Sequence, residues 1–174
     1  TGQLTRGLVG LPFPYFYGFK SDGIFQNMDE VKAYTNAEGN MIMPNAEPGD
    51  VRFVDIDGDG VIGDGDKTYI GKGIPDWVFG LNLGFDWKGL DFSILLQGQL
   101  GAQAYNVSRR IDLGAVNLPK YMLNRWTGEG TTNKYPKFEV GDATNYVVSD
   151  VWVEDASFLR ARNVQLGYTL PQNI

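Results

Sequence analysis

"GLNLGFDWKGLDFSILLQGQL" occupies residues 80–100, and its periodicity decides the fold. Leu81, Leu83, Phe85 and Trp87 alternate with Asn82, Gly84 and Asp86; after Lys88-Gly89, Leu90, Phe92, Ile94 and Leu96 alternate with Asp91, Ser93 and Gln97. Successive side chains of a strand point to opposite faces, so this period of two puts the apolar residues on one side and the polar ones on the other. The stretch predicts two antiparallel strands of about nine residues around a tight turn. Such a hairpin suits a soluble sandwich, and equally a transmembrane barrel whose apolar face meets lipid and whose polar face lines the lumen. Strand length tilts the reading toward the barrel, because about 9–11 tilted residues cross a bilayer. The Asn, Asp, Ser and Gln of the polar face suit a wet interior, and Trp77, Phe79, Trp87 and Tyr105 fall near strand ends, where an aromatic girdle sits.

A second alternating run, "VWVEDASFLRARNVQLGYTLP", covers residues 151–171. Leu159 and Ala161 share one parity, Val164, Leu166 and Tyr168 the other, and the change at Asn163 predicts a β-bulge. Arg160 and Arg162 fall on the polar side, where pairing with Asp or Glu across strands is the expectation and contact with a ligand the less favoured alternative. Elsewhere the regular structure is brief. Asn27 or Asp29 can cap a short helix over Glu30–Tyr34, with Gly39 ending it. Pro12 and Pro14 argue against a central strand near the start. "AEPGDVRFVD" reads as a turn at Pro48-Gly49 feeding a short strand. Residues 101–150 read as irregular, with a helical turn or two in "VNLPKYMLNRW".

"FVDIDGDGVIGDGDKTYIG", residues 53–71, is the most polar and most regularly spaced stretch. Counted from Asp55 as position 1, Asp57 is position 3, Asp59 position 5 and Asp66 position 12, with Gly60 at the sharp turn of position 6. That is the arrangement of a calcium loop, because a hard cation takes six to eight oxygens. The candidate metal ligands are Asp55, Asp57, Asp59, the carbonyl of Val61 and Asp66, and Ile62 anchors the loop in apolar surroundings. Position 12 is Asp where such loops carry Glu, so bidentate closure is weaker. The competing reading is a solvated Asp/Gly turn. Gly71, Gly73 and Pro75 exclude the helix that follows the loop in an EF-hand, so calcium here would staple a loop between strands and not act as a sensor.

The chain has 174 residues, a net charge of −6, no cysteine and no histidine. A nucleic-acid partner is excluded by the lack of a basic face. Disulfides, thiolate or imidazole metal sites, cysteine nucleophiles and Ser-His catalysis are excluded outright. Glycine, at 23 residues, is well above the usual ~7%, and with 13% aromatics it points to an all-β chain rich in turns. Glu129, Glu139 and Glu154 have no catalytic context, and the conspicuous aspartates are accounted for as metal ligands, so an enzyme is not expected. The aromatics Tyr15, Tyr17, Trp77 and Trp126 are candidates for stacking on a sugar, against the plainer reading of a packed loop core. The chain begins at Thr1 and stops just past a strand-like run, which reads as an internal piece of a longer protein.

Taken in order, "GFKSDGIFQ" (18–26), "EPGDVRFVDIDGDGVIGDGDKTYIGKGIPDWVFGLNLGFDWKGLDFSILLQG" (47–98), "AYN" (104–106), "NRWTGEG" (124–130), "YPKF" (135–138) and "SDVWVEDASFLRARNVQLGYTLP" (149–171) resemble the late barrel region of SusC/RagA-type TonB-dependent outer-membrane transporters. The resemblance runs from about residue 15 to the end. It implies that residues 1–174 are part of one C-terminal barrel domain of about 22 antiparallel strands with long extracellular loops, the plug, the TonB box and the final strands lying outside them. It implies import of oligosaccharides or peptides in the bacterial outer membrane, with a SusD-like surface lipoprotein as lid, TonB as energy source and membrane lipid around the barrel. Lys88-Gly89 would then be a periplasmic turn, and residues 53–75 and 101–148 would lie at the outer end. From the residues alone the alternative is a soluble, secreted, calcium-stabilised carbohydrate-binding β-domain.

Overall fold

A computed structural model of the chain describes residues 4–108, 119–139 and 144–171. Among these, the elements in chain order are β1 (Thr5–Arg6), β2 (Tyr15–Phe19), β3 (Ser21–Ile24), α1 (Met28–Ala33), β4 (Val51–Phe53), β5 (Lys67–Lys72), β6 (Trp77–Trp87), β7 (Leu90–Leu100), β8 (Gln103–Tyr105), β9 (Val153–Asp155) and β10 (Phe158–Tyr168). Short 3-10 turns span Asp64–Asp66, Lys120–Asn124 and Asp150–Trp152. The chain divides into two units, residues 72–104 with 155–174, and residues 1–71 with 105–154.

The first of these units is the predicted hairpin plus one strand, in the order β10-β7-β6. Each of the three strands is 11 residues long, and for β6 and β7 this exceeds the expected nine or so, the ladder running out to Trp77↔Leu100. The β6–β7 register runs without a slip from Trp77↔Leu100 to Trp87↔Leu90. Lys88 and Gly89 both take positive φ, 49° and 86°, the two left-handed residues that a two-residue turn between right-twisted strands requires. Gly89 is needed there also because a Cβ would press on the Thr169 carbonyl oxygen, which lies 2.8 Å away. Strand β10 pairs with β7, and its register shifts between Ala161 and Asn163, which makes Arg162 the extra residue of a bulge. The bulge keeps both faces in phase. Leu159 and Ala161 before it, and Val164, Leu166 and Tyr168 after it, meet the apolar side of β7 (Gly98, Leu96, Ile94, Phe92 and Leu90).

The other unit is mostly loop around a small core. Phe25, Val31, Ile42, Met43, Ala46, Val51 and Phe53 form a buried cluster, with Phe19, Tyr34, Ile62, Val147 and Val151 packed on it. Helix α1 starts at the Asn27 cap, whose side chain accepts from the Glu30 N–H at 3.0 Å; the Glu30 carboxylate reaches back to the Gln26 N–H at 2.9 Å. It ends at Ala33, where Tyr34 caps it with ψ at 83°, outside the helical range; the Tyr34 hydroxyl donates to the Phe53 carbonyl at 2.6 Å, and Gly39 serves the following turn. Pro48-Gly49 makes the predicted turn, the Asp50 N–H donating to the Glu47 carbonyl at 3.0 Å, and β4 follows. Sheet order here is β1-β2-β5, with β3 paired antiparallel to β4.

Polar side chains fasten the long loops to this core. The buried Asn145 accepts from the Val51 N–H and donates to Asp50, both at 2.8 Å. Lys137 bridges Asp50 (3.3 Å) and Glu47 (2.7 Å). Burial alone would pull its ammonium below the usual lysine range, but the Glu47 hydrogen bond and the Asp50 charge outweigh that and hold it above. Gln26 donates to the Ile24 and Thr132 carbonyls and accepts from Gly130 N–H and Trp126 Nε1.

Candidate metal loop and two-faced sheet

The loop between β4 and β5 folds around its own carboxylates. Asp55 accepts from the Gly58 N–H at 2.7 Å with one oxygen and from Gly60 at 2.9 Å with the other. Asp57 accepts from Asp59 N–H at 3.2 Å, and Asp59 from Val61 N–H at 2.9 Å. These bonds wind the chain so that one carboxylate oxygen each from Asp55, Asp57 and Asp59 lies within 4.8 Å of the others. Gly60 turns the chain at φ +84°, and a Cβ there would meet Asn36 Nδ2 at 2.5 Å. Ile62 packs against the core cluster, the anchor expected of position 8.

Donors so spaced fit one hard cation. Two oxygens each 2.3–2.6 Å from a calcium ion can be up to about 5 Å apart, and a carboxylate oxygen that accepts one N–H keeps a further lone pair. Asp66, the position-12 candidate, is not one of these three but its carboxyl lies against that of Asp55. It is 1% exposed, and its oxygens are engaged with the loop backbone: Ile56 and Gly63 N–H at 2.7 Å and Asp57 N–H at 3.4 Å. Burial pushes its pKa up, but the three N–H bonds, with a hydrogen bond to the Asp55 side chain, outweigh burial and leave it below the usual carboxylate value. The side chain of Val61 is exposed, and its N–H donates to Asp59 at 2.9 Å.

The sequence-predicted aromatics are not gathered into one platform. Tyr15 is 4% exposed and packs against Tyr17 (ring centroids 6.4 Å apart) and Tyr69 (5.7 Å), so its faces are covered. Tyr17 carries the Arg6 guanidinium over its ring at 3.8 Å. Trp126 lies over Gly49 and donates to Gln26. Trp77 belongs to the three-stranded unit and is 72% exposed on its apolar face.

That face is the more telling surface. Trp77, Phe79, Leu81, Leu83, Phe85 and Trp87 of β6 are all exposed, as are Leu159, Val164, Leu166 and Tyr168 of β10. Within this unit the face has no covering layer, and each such side chain left in water forgoes about 1.5–3 kcal/mol of burial. Trp77 and Trp87 mark its two ends, and Lys88 Nζ sits 5.1 Å over the Trp87 ring. The opposite face carries Asn82, Asp86, Asp91, Ser93, Gln97, Asn163 and Gln165. Among the described residues, Arg160 and Arg162 do not pair with Asp or Glu. Both donate to the Gln97 amide oxygen, at 3.3 and 3.2 Å, because the bulge brings Arg162 back beside the residue that Arg160 already faces.

No protein-family profile matches the chain. Individual proteins do. The chain is 30% identical over 170 residues to TonB-dependent receptor P26 of Formosa agariphila, covering 96% of the chain and 17% of that receptor. It is 30% identical over 132 residues to the TonB-dependent receptor SusC of Bacteroides thetaiotaomicron, covering 75% of the chain and 13% of SusC. Among solved structures, a chain of the RagAB peptide importer in its open-open state shares the fold with a TM-score of 0.61 at 24% identity, over 98% of this chain and 18% of that one. The chain therefore spans less than a fifth of the length of these relatives, all of them receptors or importers and none an enzyme. With three 11-residue antiparallel strands, one oily face and long polar loops, this all-β chain belongs to the SusC/RagA-type TonB-dependent receptors, as part of their barrel.

Proposed function

We propose that the protein to which this chain belongs imports oligosaccharides or peptides across the bacterial outer membrane, drawing energy through TonB and working with a SusD-like surface lipoprotein. The chain supplies barrel wall and outer loops to that machine. One observation carries the reading: a continuous apolar face, 11 residues tall and three strands wide, is exposed along β6 and β10 and half-buried along β7 between them. Lipid is the solvent that suits such a face, and the polar reverse suits a channel. The same exposed face argues against a soluble carbohydrate-binding domain, in which a second sheet would cover it. The Lys88-Gly89 turn is then periplasmic, since outer-membrane barrels keep short turns on that side, and the segments before Trp77 and after Leu100 lead outward.

This chain has no cysteine, so once any cysteine elsewhere in the intact receptor is replaced, single cysteines bearing a nitroxide can be placed at neighbouring positions and read in lipid vesicles. A label at Leu83 is expected to be relaxed by oxygen, which concentrates in hydrocarbon, and one at Asn82 by a water-soluble nickel chelate. A Leu83 label that responds to nickel and not to oxygen would overturn the reading.

Calcium is part of the proposal. Asp55, Asp57 and Asp59, with the Val61 carbonyl and Asp66 closing the loop, would hold the ion, and it would neutralise carboxylates that otherwise repel, stiffening an outer loop near the lid. Chelation is expected to raise protease cleavage within residues 55–66 while leaving β6 and β7 protected, and added calcium to reverse it. Cleavage that is the same with and without chelator would remove calcium from the account.

A further inference from the structure

On the polar face of the three-stranded unit two positive charges are drawn to one neutral atom. Arg160 and Arg162 both donate to Gln97 Oε1, so the two donor nitrogens lie at most ~6.5 Å apart. Both side chains are exposed, and among the described residues no carboxylate pairs with either. The acids of this face, Asp86 and Asp91, stand opposite each other beside the turn. Six residues of β7 separate Asp91 from Gln97, about 20 Å along the strand and well beyond the ~8 Å over which salt screens charge. The face is thus acidic at its turn end and basic farther along.

The local build holds this arrangement in place. Pairing with Gln97 sets Arg160 on the ladder, and its guanidinium rests 5.0 Å over the Phe158 ring. The bulge adds Arg162 to the same side without turning the apolar face. The Gln97 oxygen has two lone pairs, and the two N–H donors fill them; each guanidinium has five N–H donors, so most remain open. Uncompensated like charges this close are unfavourable, and an oxyanion relieves them with paired N–H···O bonds that match its planar fork.

We propose that Arg160 and Arg162, positioned by Gln97, form a docking point for a carboxylate-bearing solute. The site rests on the barrel reading only for its placement in the channel, where low-dielectric walls would focus its field inward.

The test is arginine modification by phenylglyoxal in the intact receptor in lipid vesicles, read by mass spectrometry at Arg160 and Arg162, with citrate as the carboxylate probe and maltohexaose as a neutral control. Both arginines are expected to react. Millimolar citrate should slow both by about fivefold or more, maltohexaose should not, and in Arg162→Gln the protection of Arg160 should fall close to nothing, because the two-sided grip is lost. Arginines that do not react, being held by an acid elsewhere in the receptor, would overturn the proposal; so would arginines that react equally with and without citrate. Citrate protection together with a water-exposed Leu83 label would leave the anion site standing and remove only its place in a channel.

Discussion

Leu83→Lys is expected to destabilise the barrel of the intact receptor by about 2–4 kcal/mol, whereas Asn82→Lys should cost less than ~1 kcal/mol. The two residues are chain neighbours near the middle of β6, so they share one depth and differ only in face. Leu83 lies opposite Ile94 on the apolar side and is 50% exposed, so an ammonium there would sit in hydrocarbon with no partner; Asn82 lies opposite Leu95 on the polar side. Strand propensity is similar for the two substitutions, which leaves the solvent on each face as the variable. Denaturant unfolding in lipid vesicles reads the difference, and assembly into the outer membrane should follow the same order. Equal costs for the two variants would mean that both faces meet the same medium, and the barrel would be the wrong architecture for this sheet.

The parts of the fold that could be read from the sequence are those held by contacts local in the chain. The β6–β7 hairpin follows from a period of two and a two-residue turn, and the Arg162 bulge follows from a parity change that only an extra residue can produce. Asn27 capped its helix for the same reason, with a partner three residues away. The loop unit was closed to such reasoning. Its fastenings join residues far apart: Asn145 to Val51 across 94 positions and Asn133 to Ile24 across 109. A buried Asn that satisfies a distant backbone N–H has no periodicity to mark it. The metal loop lay between these cases. Spacing placed Asp55, Asp57 and Asp59 together, but the burial of Asp66 depends on how residues 63–66 turn back over Ile56, and spacing does not carry that. The aromatics show the opposite hazard. Tyr15 looked available by composition and is buried by its neighbours Tyr17 and Tyr69.

Asp66→Ala should open the acidic loop even when no metal is present. Its carboxylate closes the turn by accepting from Ile56 and Gly63 N–H at 2.7 Å in a buried position. Alanine removes the acceptor that both donors share, at about 1–3 kcal/mol for each N–H left unsatisfied. The loss stays local, because the cluster of Phe25, Val51 and Phe53 does not depend on Asp66, and a loop can open as its own unit. With chelator present throughout, amide exchange at Ile56 and Gly63 is expected to quicken by about 30- to 1,000-fold, the equivalent of 2–4 kcal/mol. Asp57→Ala under the same conditions should leave both amides near their original rates, since the Asp57 side chain bonds to the Asp59 N–H instead. Chelator makes the comparison decisive. If Asp66 acted only as a metal ligand, stripping the metal would already have removed its contribution, and the substitution would change nothing further.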